Sequence, residues 1–163
     1  MRPLLFLDVD GPLIPYGDPP YPAYGEPGPD GNPLLTRLDP RHGPRLLALG
    51  LELVWATTWI GEANEVIAPR LGLPELPCVA WAEEQPADEQ IYWKTPEVLA
   101  WADGRPFVWF DDEIGEREQA WVSERSPSPA LLHHVDPGAG LRSADYAAVE
   151  AWVRVAGSMD GGS

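Results

Sequence analysis

The stretch LLFLDVDGPL, Leu4 to Leu13, sets the reading of the whole chain. Four apolar residues run directly into Asp8 and Asp10, and Gly11-Pro12 then signals a turn. A short apolar run bounded by turn residues fits a strand buried on both faces. Residues two apart leave a strand on the same side, so Asp8 and Asp10 share one edge. Carboxylates at the end of a buried strand are costly unless something offsets their charge. The compensating groups have to come from elsewhere in the chain.

Working outward, Leu51–Ala56, Cys78–Trp81, Phe107–Phe110 and Leu131–Val135 read as four more short strands. Helical segments lie between them. Asp39-Pro40 opens one that Gly50 closes, Ile60–Leu71 forms a second, and Thr95-Pro96 opens a third that ends at Gly104. A fourth spans Ile114–Glu124. Ser143 caps the last, in which Tyr146, Val149, Trp152 and Val153 recur at helical spacing. Five strands alternating with five helices predict an α/β, three-layer, Rossmann-like domain. Its sheet is mainly parallel and five-stranded, with helices on both faces. The domain is expected over residues 1–156, with 157–163 (GSMDGGS) as a frayed tail.

One segment breaks the alternation. Ile14–Leu38 holds seven prolines and four glycines, too much punctuation for a helix. An insertion of about 25 residues in a compact domain is long enough for a lid or binding loop, and a passive surface loop is the alternative.

Composition narrows the class. A chain of 163 residues suits one domain with a proper core. Its formal charge of −15 argues against tight, unaided binding to nucleic acid and against an anionic membrane surface, both of which favour basic groups. Solubility alone accounts for the acidity. A single cysteine, Cys78, excludes an intrachain disulfide, and no zinc ligand set is present. Without a signal-peptide pattern or an apolar run of ~18 residues, a cytoplasmic protein is the expectation.

The polar residues then fall into place. Asp8 and Asp10 finish the first strand, Thr57 and Thr58 the second, and Asp111 and Asp112 the fourth; Lys94 precedes the helix after the third. Open parallel sheets bind ligands beyond the carboxyl ends of their strands, so these groups converge on one edge. Four carboxylates cannot all stay ionised there without a cation, and one lysine is too few. Oxygen-only ligands favour a hard divalent ion, with Mg²⁺ the usual one beside phosphates. A threonine hydroxyl and Lys94 suit the oxygens of a phosphoryl group.

The ordered set resembles the haloacid dehalogenase (HAD) superfamily of phosphohydrolases. DVDGPL is similar to its nucleophile motif, VWATTW to its apolar strand ending in Thr or Ser, YWKT to its lysine motif and FVWFDDE to its acidic pair. The resemblance implies a Mg²⁺-dependent phosphomonoesterase in which Asp8 attacks phosphorus and Asp10 is general acid and base. It also implies that Thr57 and Lys94 hold the phosphoryl oxygens. Mg²⁺ would be held by the Asp8 carboxylate, the Asp10 backbone carbonyl and one of Asp111 and Asp112, with Asp112 preferred. Thr57 is preferred to Thr58 because it directly follows the apolar run. Pro12 departs from the usual Thr or Val but removes no catalytic group. A response-regulator receiver fits poorly, because Lys94 precedes the second acid pair.

Neither gap that holds cap domains in this superfamily is long enough for one. The resemblance therefore implies a short flap at 14–38, an acidic loop at Ala82–Trp93, and an open site suited to a bulky phosphorylated substrate. It extends to small HAD domains associated with RNA repair, so a polynucleotide end phosphatase is the alternative activity. A non-catalytic phosphate-binding or scaffold domain is the alternative of another kind.

Aromatic and histidine residues complete the expectations. Trp59 and Trp93 are placed at the mouth of the site, and Tyr16, Tyr21 and Tyr24 in the flap are candidates to stack on substrate. Trp55, Trp81, Trp109 and Trp152 are read as core. His133 and His134 point to opposite faces, His42 is read as a surface residue, and Cys78 as a small core hydrophobe.

Overall fold

The structure is a computed structural model that describes residues 2–27, 32–82 and 91–160, with side chains to residue 156. Its centre is a parallel sheet of four strands: β1 (Leu4–Leu7), β2 (Glu52–Trp55), β3 (Phe107–Asp111) and β4 (Ala130–His134). The order across the sheet is β2-β1-β3-β4. Every residue of β1 and β3 is buried, as expected of central strands covered on both sides.

Alternation along the strands feeds two separate cores. Leu5, Leu7, Trp55, Val108 and Phe110 face one side, where they meet Leu46 of α1 (His42–Ala48), Leu71 of α2 (Ala68–Leu71) and Tyr146 of α5 (Ser143–Asp160). Leu4, Phe6, Val54, Phe107 and Trp109 face the other, against Val98 of α3 (Thr95–Ala102) and Val122 of α4 (Glu116–Arg125). This is the predicted three-layer α/β arrangement.

Of the five expected strands, the third, Cys78–Trp81, is not formed among the described residues. Cys78 makes an isolated parallel bridge to Trp55, through Trp55 N–H to the Pro77 carbonyl at 2.9 Å and Val79 N–H to the Trp55 carbonyl at 2.9 Å. Pro77 has no N–H to extend the ladder, and the chain then diverges so that Trp81 Nε1 reaches the Thr57 carbonyl at 3.0 Å. Cys78 is half-buried rather than a strand-core residue.

Several helix boundaries also shift. Thr95 is not the cap of α3: Lys94 is, since Val98 N–H donates to the Lys94 carbonyl, and the Thr95 hydroxyl is buried without a partner. The helix expected from Ile60 contains a π-helical turn, Ala63–Ile67, before α2. At the other end of the chain, α5 continues to Asp160, into the expected tail at 157–163; residues 161–163 lie outside the described residues.

His42 overturns its surface reading. It is 7% exposed, with Nδ1 2.7 Å from the Tyr146 hydroxyl, and burial lowers its pKa. Its neighbour gives the reason. A Cβ on Gly43 would sit 1.6 Å from the Leu71 carbonyl oxygen, so this glycine lets α1 press directly onto α2 and carries His42 inward. His133 and His134 do diverge: His133 lies 2.7 Å from Asp145, while His134 is exposed.

Candidate active site

Register builds the site. β1 runs in step with both neighbours, Leu7 opposite Trp55 on one side and Phe110 on the other. The next residues along the three strands are Asp8, Ala56 and Asp111, so they emerge side by side at the carboxyl edge. Lys94 Nζ gathers all three. It donates to the Ala56 carbonyl at 3.0 Å and to Asp111 Oδ2 at 3.2 Å, and lies 3.3 Å from Asp8 Oδ1.

This cluster is dry. Asp8, Lys94 and Asp111 are each at most 5% exposed. Burial, and after it the charge of Asp111, pushes Asp8 well above the usual carboxylate range, with Lys94 and the Val9 N–H pulling against them. Burial likewise pushes Asp111 up to about 7, and Lys94 again opposes it. Two carboxylates held in this way favour another cation. Asp8, Asp111 and Asp112 offer oxygens within 4.8 Å of one another, and this all-oxygen donor set fits a hard divalent ion such as Mg²⁺.

The two acidic motifs meet at the turn. Gly11 has a φ of +100°, and a Cβ there would lie 2.8 Å from Asp112 Cβ and Cγ. Glycine therefore serves both the turn and the approach of Asp112. Asp112 borders the cavity beside Asp8, whereas Asp111 is fully buried and accepts from Glu113 N–H as well as Lys94. Pro12, the departure from the motif, accepts from Leu141 N–H through its carbonyl at 2.9 Å, leaving the turn intact.

Asp10 lies outside the three-carboxylate cluster. Its side chain accepts from Trp59 Nε1 at 3.2 and 3.3 Å and borders the cavity. Thr57 is buried, its hydroxyl accepting from Trp59 N–H at 3.1 Å, while Thr58 is exposed and lines the cavity. The structure thus brings Asp8, Asp10, Lys94 and Asp112 around one space of about 390 Å³, and puts Thr58 rather than Thr57 on its wall.

The flap supplies another wall. Ile14, Tyr16, Leu34 and Arg37 all border the cavity, and the Tyr16 hydroxyl donates to Asp112 Oδ2. That hydrogen bond, with burial, raises the Tyr16 pKa. The segment is anchored by Arg70, which donates to the carbonyls of Leu35, Glu26 and Pro27. Residues 28–31 of the flap and 83–90 of the acidic loop lie outside the described residues.

Comparison with known protein families matches residues 4–146 to one described as the HAD domain in Swiss Army Knife RNA repair proteins. The chain belongs to this family. No curated protein and no solved structure matches it significantly. No helix among the described residues of this HAD domain is long and apolar enough to cross a membrane.

Four contributors to the HAD site were not singled out by sequence. Arg37 and Glu113 sit on the cavity wall, as does Tyr92, stacked on Trp109. Glu118 ties α4 to the lysine loop, accepting from Gly115 N–H at 2.8 Å and Tyr92 N–H at 3.2 Å. The spacing Gly115-x-x-Glu118 is a capping pattern that marks half of that role. Trp93 reaches the mouth as expected, while Trp59 serves by holding Asp10.

Proposed function

We propose that this domain is a Mg²⁺-dependent phosphomonoesterase that works through an aspartyl-phosphate on Asp8. The observation that carries the reading is the placement of Asp8 beside Lys94 on the cavity wall, with Asp112 and Asp10 on the same rim. Asp8 Oδ1 is held by Val9 N–H at 2.8 Å and by Lys94, which leaves Oδ2 as the attacking atom. That oxygen forms a bond to phosphorus as the ester P–O bond breaks. The departing alcohol takes its proton from Asp10, which Trp59 holds at the rim. Water then attacks phosphorus, gives its proton to Asp10, and releases phosphate and the free Asp8 carboxylate. Asp8 and Asp112 would hold the Mg²⁺, with Asp111 close behind and the Asp10 carbonyl a further ligand by family resemblance. The ion supplies positive charge to the phosphoryl oxygens. Lys94 offsets the negative charge of the same group.

The family description favours one narrower substrate reading, an end-phosphorylated polynucleotide, although the charge of −15 weakens unaided binding. Hydrolysis of an aryl phosphate with Mg²⁺, followed by release of inorganic phosphate, tests the activity. Asp8→Asn is expected to fold normally and lose at least ~10³-fold in turnover, and chelation should stop the wild type. Undiminished turnover in Asp8→Asn removes Asp8 from its role. Absence of hydrolysis across aryl, sugar, nucleotide and oligonucleotide phosphates, together with measurable phosphate binding, favours the scaffold.

A further inference from the structure

Among the described residues, the charges around the cavity leave one cation without an ionic partner. Lys94 is shared between Asp8 and Asp111. Arg37 borders the same cavity from the flap and, among the described residues, forms no ion pair. Its one hydrogen bond there runs from Nη1 to the Pro15 carbonyl at 2.9 Å, and its guanidinium lies 4.1 Å from the centre of the Tyr21 ring. A guanidinium carries five N–H donors, so most of this group's capacity is uncommitted. Those two contacts hold it in place. It is half-buried, so its charge is less screened than that of a surface arginine.

The other charged groups on the wall, Asp8, Asp10, Asp112 and Glu113, are all acidic. A phosphomonoester bound at Asp8 has Lys94 and the metal to offset its charge. A second phosphate on the same molecule would otherwise face carboxylates, and Arg37 is the group that reverses that repulsion.

We propose that Arg37 is a second anion-binding point of this cavity and selects phosphomonoesters that carry another phosphate. This rests on the phosphohydrolase reading. Arg37 also borders a neighbouring cavity of about 210 Å³, where Asp39 and Arg41 already pair with each other. That leaves the guanidinium to serve the acidic chamber.

The test uses matched substrates: butyl phosphate against 1,4-butanediol bisphosphate, with two- and six-carbon homologues to read the span. An end-phosphorylated dinucleotide, compared with the corresponding nucleoside monophosphate, asks whether the second phosphate can come from a nucleic-acid chain. With Mg²⁺ saturating, kcat/KM is expected to be about tenfold higher for at least one doubly charged partner, after correction for its two equivalent ends. The gain should lie mainly in KM. Arg37→Gln should reduce that ratio to near one, and Arg37→Lys should restore part of it. A ratio near one for every pair in the wild type overturns the inference, as does a ratio unchanged in Arg37→Gln. If no phosphate is hydrolysed at all, the phosphohydrolase reading itself has failed, which is a different result.

Discussion

Replacing Lys94 with methionine removes the cation that lies between the buried carboxylates of Asp8 and Asp111 while keeping most of the side-chain volume. Nζ lies 3.2 Å from Asp111 and 3.3 Å from Asp8, and neither carboxylate has more than slight access to solvent. At an effective dielectric of about 20, each contact at that range has a gross Coulomb energy of ~5 kcal/mol. Burying the ammonium costs several kcal/mol in return, so the net loss in metal-free protein is on the order of 3–5 kcal/mol. The pH dependence identifies the cause. Lys94 opposes the rise in the pKa of both Asp8 and Asp111, so its removal sends both higher. A carboxyl whose folded pKa is raised binds its proton more tightly when folded. Its contribution to stability is therefore fully present at low pH and lost as pH climbs through the folded value. For Asp111 that value is about 7 in the wild type, so the deficit of the variant opens above it. Urea unfolding with chelator at about pH 5.5 and about pH 8.5 measures the difference, which should be small at the first and, from Asp111, up to about 2 kcal/mol at the second. A deficit under ~1 kcal/mol at the higher pH, or an equal deficit at both, would refute the charge argument and leave only lost packing.

Two other substitutions probe how the rim is assembled. Gly11→Ala combines a positive φ with a Cβ 2.8 Å from Asp112, so it should cost roughly 1–3 kcal/mol and weaken Mg²⁺ activation by displacing that carboxylate. Chemical denaturation and a Mg²⁺ titration of activity read the two effects separately. Tyr16→Phe removes the hydroxyl that orients Asp112 and is expected to weaken Mg²⁺ affinity about tenfold, with little change in stability. Unaltered affinity would make Tyr16 only a wall of the cavity.

The alternation of strand and helix was legible because hydrophobic runs and turn residues are local signals. β1 matches its predicted span, and four of the five expected strands are present. The third, Cys78–Trp81, shrinks to a single bridge to Trp55, because Pro77 has no N–H before it and the chain diverges after Val79. His42 was misplaced because its burial depends on Gly43 meeting the Leu71 carbonyl, a contact between distant segments that periodicity does not encode. Thr57 directly follows the apolar run, and sequence order alone does not show which of Thr57 and Thr58 faces the cavity. The backbone turn lets the Thr57 hydroxyl oxygen accept from Trp59 N–H and puts Thr58 on the wall.

By itself, the sequence determined which residues lie at the carboxyl edge of the sheet. A strand that is apolar until its last residue can end only one way, and each motif residue follows such a run or starts the next helix. Only the tertiary structure decided how these residues are arranged. Equal register across β2, β1 and β3 sets Asp8 beside Asp111, and Lys94 joins them. The close approach of Gly11 brings Asp112 to the rim, and the flap adds Tyr16 and Arg37. These placements depend on distances of a few ångströms between residues more than a hundred positions apart. Burial and Coulomb energy act on those distances, and neither is written in the order of residues along the chain.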